Sequence, residues 1–148
     1  MPDQRHRQGL IDTSVVIDLE RIEPAQLPDE LAISAVTLAE LAAGPHATLD
    51  PAERARRQDR LQRAEATFDP IPIDADVARA YGRIYAGVVA TGTKARGRRA
   101  VDLLIAATGL AAGLPLYTCN IGDFRGLAEL VEVIGVEPRT ETGRARST

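Results

Sequence analysis

Short apolar runs alternate along this chain with longer segments of helical period, and few folds accommodate that order. Leu10 and Ile11 end a first run, Leu31-Ala32-Ile33 forms a second, and Ile71-Pro72-Ile73 a third. Leu114 to Cys119 and Val131 to Ile134 complete the set. Between them lie candidate helices. Val15 to Glu20 follows Thr13 and Ser14, either of which suits an N-cap. Ser34 precedes Val36, Leu38, Leu41 and Ala42, and Gly44-Pro45 ends that segment. Pro51 opens a polar helix to about Phe68 with Leu61 and Ala64 facing inward. Asp74 starts the most regular pattern, Val77, Tyr81, Ile84 and Val88, which Thr91-Gly92-Thr93 stops. Val101 to Ala112 is apolar on nearly all sides except at Asp102, as a buried central helix would be. Strands joined through helices need crossovers, so the sheet should be mainly parallel with helices on both faces. Pro72 cannot donate to a ladder, which confines its strand to an edge or an end.

The 148 residues are enough for one core and one domain, read as residues 1–136 followed by a loose tail, 137–148, with Arg139, Arg144 and Arg146. A composition of 45% hydrophobic and 26% charged residues excludes a disordered or collagen-like chain. No apolar run could span a bilayer and no secretory leader is recognisable, so a cytoplasmic protein is expected. A single cysteine, Cys119, excludes an internal disulfide and a multi-cysteine zinc site, and is expected in the core. His6 and His46 are the only histidines and leave little for imidazole-based metal binding or acid–base pairs.

Four acids occupy places where composition does not call for them. Asp12 directly follows the first strand, and Asp123 follows the strand ending at Cys119, with Asn120 just before it. Glu40 lies within an apolar helix, and Asp102 is the lone acid expected in the first turn of the most apolar one. In a parallel α/β sheet the strand ends and the following helix starts gather at the carboxyl edge, where ligands bind. Carboxylates brought together without bases repel and raise one another's pKa, and a hard cation such as Mg²⁺ or Mn²⁺ relieves that. A carboxylate-held ion suits phosphodiester hydrolysis. Lys94, Arg96, Arg98 and Arg99 form a basic stretch just before Asp102, placed to contact nucleic-acid phosphates. Lys94 is the only lysine among the 18 basic residues, the rest being arginine with its planar fork of donors.

The order of these motifs resembles the PIN-domain nucleases. The segments are Asp12-Thr13-Ser14-Val15-Val16-Ile17-Asp18, Ser34-Ala35-Val36-Thr37-Leu38-Ala39-Glu40-Leu41 with Gly44, Asp102-Leu103-Leu104-Ile105-Ala106-Ala107, and Thr118-Cys119-Asn120-Ile121-Gly122-Asp123-Phe124. Length and the Glu-Leu-x-x-Gly element look most like VapC-type toxins of bacterial toxin–antitoxin pairs. The resemblance, over about residues 9 to 135, implies a three-layer α/β/α sandwich with about five mainly parallel strands. It further implies a homodimer, a Mg²⁺- or Mn²⁺-dependent endoribonuclease acting on RNA, and a cognate antitoxin. It assigns catalytic and metal-binding roles to Asp12, Glu40, Asp102 and Asp123, with Asn120 or Asp123 at the fourth metal position. Thr13, Ser14 and Thr118 would support the acids through hydrogen bonds.

Three other readings stand beside this one. A PIN-like nuclease of RNA processing would share every motif without a toxin role. A catalytically inactive PIN-like scaffold for protein binding would not need all the acids that are present here. A receiver-type phosphorylation switch expects a second acid beside Asp12, where Thr13 stands, and a lysine after a late strand, where Lys94 is not.

Overall fold

The computed structural model describes residues 6–92 and 98–140. Four strands, β1 (Gln8–Ile11), β2 (Glu30–Ala32), β3 (Leu116–Thr118) and β4 (Val133–Gly135), form one sheet in the order β2-β1-β3-β4. Every pairing is parallel, with Leu10 opposite Ala32 and Leu116, and Tyr117 opposite Ile11 and Ile134. Five helices, α1 (Thr13–Ile17), α2 (Ala35–Ala43), α3 (Pro51–Thr67), α4 (Ala75–Ala90) and α5 (Arg98–Ala112), make the crossovers with several 3-10 turns.

Side-chain alternation along the strands divides the core into two layers. Leu10 and Leu116 point into one, against Val77, Ile84 and Val88 of α4 and Leu103, Ile105 and Ala107 of α5. Ile11 and Tyr117 point into the other, with Val15, Leu41 and Ala64. The expected three-layer α/β/α arrangement is therefore the one adopted. Leu10, Ile84, Leu103 and Leu116 have no exposed surface, and each contributes about 1.5–3 kcal/mol of burial. Gly9 lies on the crowded side, where a Cβ would sit 2.4 Å from Tyr117 Cε1 and 2.9 Å from Pro28 Cγ.

Among the described residues the sheet has four strands rather than about five. The segment expected as the third strand contributes one isolated parallel bridge, Ser34 to Ile71, beyond the end of β2. Prolines on both sides of Ile71, at 70 and 72, remove the donors a longer ladder would use. Two helix starts also differ. Asp12, not Thr13 or Ser14, caps α1. Helix α5 begins at Arg98 rather than Val101, which moves Asp102 into its second turn and takes Arg98 and Arg99 out of any loop. Residues 137 to 140, expected to begin a loose tail, are held to the body: Gln26 exchanges hydrogen bonds with the Glu137 backbone, and Arg139 N–H donates to Arg21 O at 2.7 Å. The rest of that segment, 141–148, lies outside the described residues, as do Lys94 and Arg96. No described helix is long and apolar enough to cross a membrane.

Candidate functional site

The chain leaves β1 at Ile11 and turns at once into α1, so Asp12 occupies the joint. Its backbone is extended (φ −82°, ψ 179°), and its carboxylate accepts the Val15 N–H at 3.1 Å. Ser14 Oγ donates to the same Oδ1 at 2.5 Å. The Thr118 hydroxyl also hydrogen-bonds this carboxyl group. Asp12 is only 5% exposed. Burial raises its pKa above the ordinary aspartate value, opposed by the hydrogen bonds from Ser14, Thr118 and the backbone of Val15 and Ser14.

The same residues join β1 to β3. Asp12 N–H donates to Tyr117 O at 3.1 Å. Ser14 Oγ, having given its proton to Asp12, accepts the Cys119 N–H at 3.0 Å. Thr118 Oγ1 accepts the Asn120 N–H at 2.9 Å. Thr118 is fully buried, whereas Cys119, expected in the core, is half-buried at the margin of the second core layer.

Helix α2 brings the second acid. Ser34 caps it by accepting the Thr37 N–H at 3.0 Å. Thr37 and Glu40 follow at intervals of three, so all three share a helix face. Thr13 Oγ1 lies 2.5 Å from Glu40 Oε1 and 3.1 Å from Thr37 Oγ1. Asp12 and Glu40, far apart in sequence, are thus tied to the first residues of one short helix. Ser34 and Thr37 are both fully buried. The sequence reading gave neither a site role, although the Ser-x-x-Thr-x-x-Glu spacing marks the face.

The remaining candidates are placed differently. Asp102 is half-buried on α5, which packs against α2 and against the 3-10 turn Ile121–Phe124. Asn120 and Asp123 are exposed at and within that turn. No three described His, Cys, Asp or Glu side chains stand close enough to share one metal ion. Arg99 is half-buried and donates from Nη2 to the Arg125 carbonyl at 3.2 Å, so part of its guanidinium is committed to structure. A groove of about 400 Å³ between α1 and α3 is lined by Val16, Leu19, Arg60, Arg63 and Phe68 among others; none of the candidate acids lines it.

Comparison with known proteins accords with this architecture. Residues 9–130 match the PIN domain model. The chain is 36% identical over 133 residues to Ribonuclease VapC5 of Mycobacterium tuberculosis (strain ATCC 25618 / H37Rv), covering 86% of this chain and 95% of that protein. It is 41% identical over 101 residues to Ribonuclease VapC8 of the same species, covering 68% and 88% respectively. The crystal structure of a member of the VapBC family of toxin-antitoxin systems, VapBC-5, from Mycobacterium tuberculosis superposes with a TM-score of 0.74 at 32% identity, over 88% of this chain and 99% of that one. With its motifs, topology and matched length in agreement, the chain belongs to the PIN domain family.

Proposed function

We propose that this protein is an endoribonuclease that hydrolyses RNA phosphodiester bonds and serves as the toxin of a toxin–antitoxin pair. The observation that carries the reading is the junction after β1. There a buried carboxylate, Asp12, is fixed by hydroxyls and amides, and the next residue, Thr13, binds a second carboxylate, Glu40. Relatives named ribonuclease VapC over most of their length, and the VapBC-5 structure, support both halves of the reading.

The donor chemistry fits a hard divalent cation. Asp12, Glu40, Asp102, Asn120 and Asp123 offer only oxygen ligands, and the groups that stabilise the Asp12 carboxylate are neutral. Asp12 and Asp102 would hold Mg²⁺, or Mn²⁺ in its place, with Glu40 and the Asn120/Asp123 pair as further oxygen donors, directly or through water. The chemistry supplied by the ion when bound is a lowered pKa of coordinated water and neutralisation of charge on the phosphoryl and leaving oxygens. Ser14 and Thr118 hold the Asp12 carboxylate in one orientation, and its burial keeps bulk water from competing for it. Glu40, held through Thr13, orients the attacking water and receives its proton. Lys94, Arg96, Arg98 and Arg99, the basic stretch that precedes Asp102 in sequence, bind RNA phosphates. The biological unit in this reading is a cytoplasmic homodimer that a cognate antitoxin covers.

The deciding experiment is cleavage of RNA by purified protein with and without EDTA. Cleavage should stop in EDTA, return with Mn²⁺, and be absent from a folded Asp102→Asn variant. Full activity in EDTA or in that variant would falsify the metal-dependent mechanism, and no RNA cleavage by the wild-type protein with Mn²⁺ would remove the ribonuclease reading.

A further inference from the structure

Four polar side chains connect the buried start of α2, through the first residue of α1, to Glu40 further along α2. Ser34 Oγ is 3.5 Å from Thr37 Oγ1, Thr37 Oγ1 is 3.1 Å from Thr13 Oγ1, and Thr13 Oγ1 is 2.5 Å from Glu40 Oε1. Each hydroxyl has one proton to give, and an ionised carboxylate can only accept. The Thr13 proton therefore goes to Glu40. Thr13 has none left for Thr37, so the bond between the two threonines is made by the Thr37 proton. Ser34 Oγ accepts the Thr37 N–H and directs its own proton towards Thr37 Oγ1. The donors all point one way, from Ser34 through Thr37 and Thr13 to Glu40.

Such a chain is polarised by its charged end, and each link strengthens the next. Thr13 is half-buried in the first turn of α1, and a helical threonine divides between two χ1 rotamers. Thr37 has no exposed surface and is locked by packing on α2. We propose that Thr37 is a positioning residue: its hydroxyl selects the Thr13 rotamer that binds Glu40, and so holds the Glu40 carboxylate beside the junction that carries Asp12. The kinetic consequence rests on the ribonuclease reading; the hydroxyl chain itself does not.

Two arms test it. In the metal-free protein, Thr13→Val, Thr37→Val and the double variant form a thermal-melting cycle. The double variant should lose less than the sum of the two single losses, the shortfall being the one link that both remove. Additive losses would overturn the proposal. NMR of the wild-type protein gives a check that needs no variant: the Thr37 hydroxyl proton should exchange slowly and show a cross-peak to Thr13, and its absence would also overturn the chain. In the cleavage assay, Thr37→Val should lower kcat roughly three- to tenfold with KM for RNA unchanged, as loss of one buried hydrogen bond implies. Thr37→Ser should recover kcat to within about twofold of wild type. Undiminished kcat in Thr37→Val, or a loss that Thr37→Ser does not restore, would refute the positioning role. Should the wild-type protein cleave no RNA, the ribonuclease reading falls while the metal-free arm still decides the chain.

Discussion

Replacing Asp12 by Asn should make the metal-free protein more stable at neutral pH. The carboxylate is 5% exposed, and burial raises its pKa above the ordinary aspartate value despite the hydroxyls and amides that favour the charge. A raised folded pKa means the native state binds the proton more tightly than the unfolded chain. The associated stability is full below the unfolded pKa of about 3.9 and is lost as pH rises through the raised folded value. At neutral pH the ionised group therefore opposes folding. Asn keeps the shape and can still accept the Val15 N–H at 3.1 Å. It weakens the bond from Ser14, each charge-assisted bond being worth about 1 kcal/mol more than a neutral one. Against that stands the desolvation of a buried carboxylate, about several kcal/mol, and the raised pKa says that this outweighs the bonds. A net gain of about 1 kcal/mol is expected, or about 3 °C in Tm for a chain of this size. Urea unfolding in EDTA measures it. The advantage should be full well above the raised folded value and shrink as pH falls through it, vanishing by the unfolded pKa of about 3.9, where Asp12 is protonated in both states. Asp12→Ala, which abandons the cap on α1, should fall about 1 kcal/mol below Asp12→Asn. An Asp12→Asn variant no more stable than wild type at about pH 7.5, or an advantage independent of pH, would refute the electrostatic account.

The other expected outcomes concern packing and RNA contact. Gly9→Ala should cost about 1–3 kcal/mol in urea unfolding, because the new methyl would lie 2.4 Å from Tyr117 Cε1 and 2.9 Å from Pro28 Cγ and one of them must shift; an unchanged midpoint would show that the ring moves aside freely. Changing Arg96, Arg98 and Arg99 together to Ala should weaken RNA binding across sequences and flatten its salt dependence, by a slope change of about 2–3 in filter-binding titrations. Wild-type affinity of that triple variant at low salt would make the segment an ordinary solvated surface.

The elements of this fold that a short window of sequence encodes were legible without coordinates. The four-residue recurrence on α4 needs only local geometry, and Val77, Ile84 and Val88 do face the core. Pro72 reduces its strand to a bridge for the reason the sequence supplies, a missing donor. The acid ending the first apolar run was visible as a candidate because nothing in its neighbourhood explains a charge there. Its capping role was not, since whether Asp12, Thr13 or Ser14 caps α1 depends on which residue takes the extended backbone when the strand becomes a helix. The start of α5 was missed for a similar reason: Arg98 and Arg99 carry no capping signal, and the turn they add shifts Asp102 along the helix. What sequence alone determined here is the parallel α/β class and the acid that follows the first strand, because periodicity and chain breaks act over a few residues. Only the tertiary structure decided which hydroxyl serves which acid. The contacts of Thr13 with Thr37 and Glu40, and of Ser14 with Cys119, join residues on different elements, and those distances exist only once the crossovers have stacked the strands and helices in three layers.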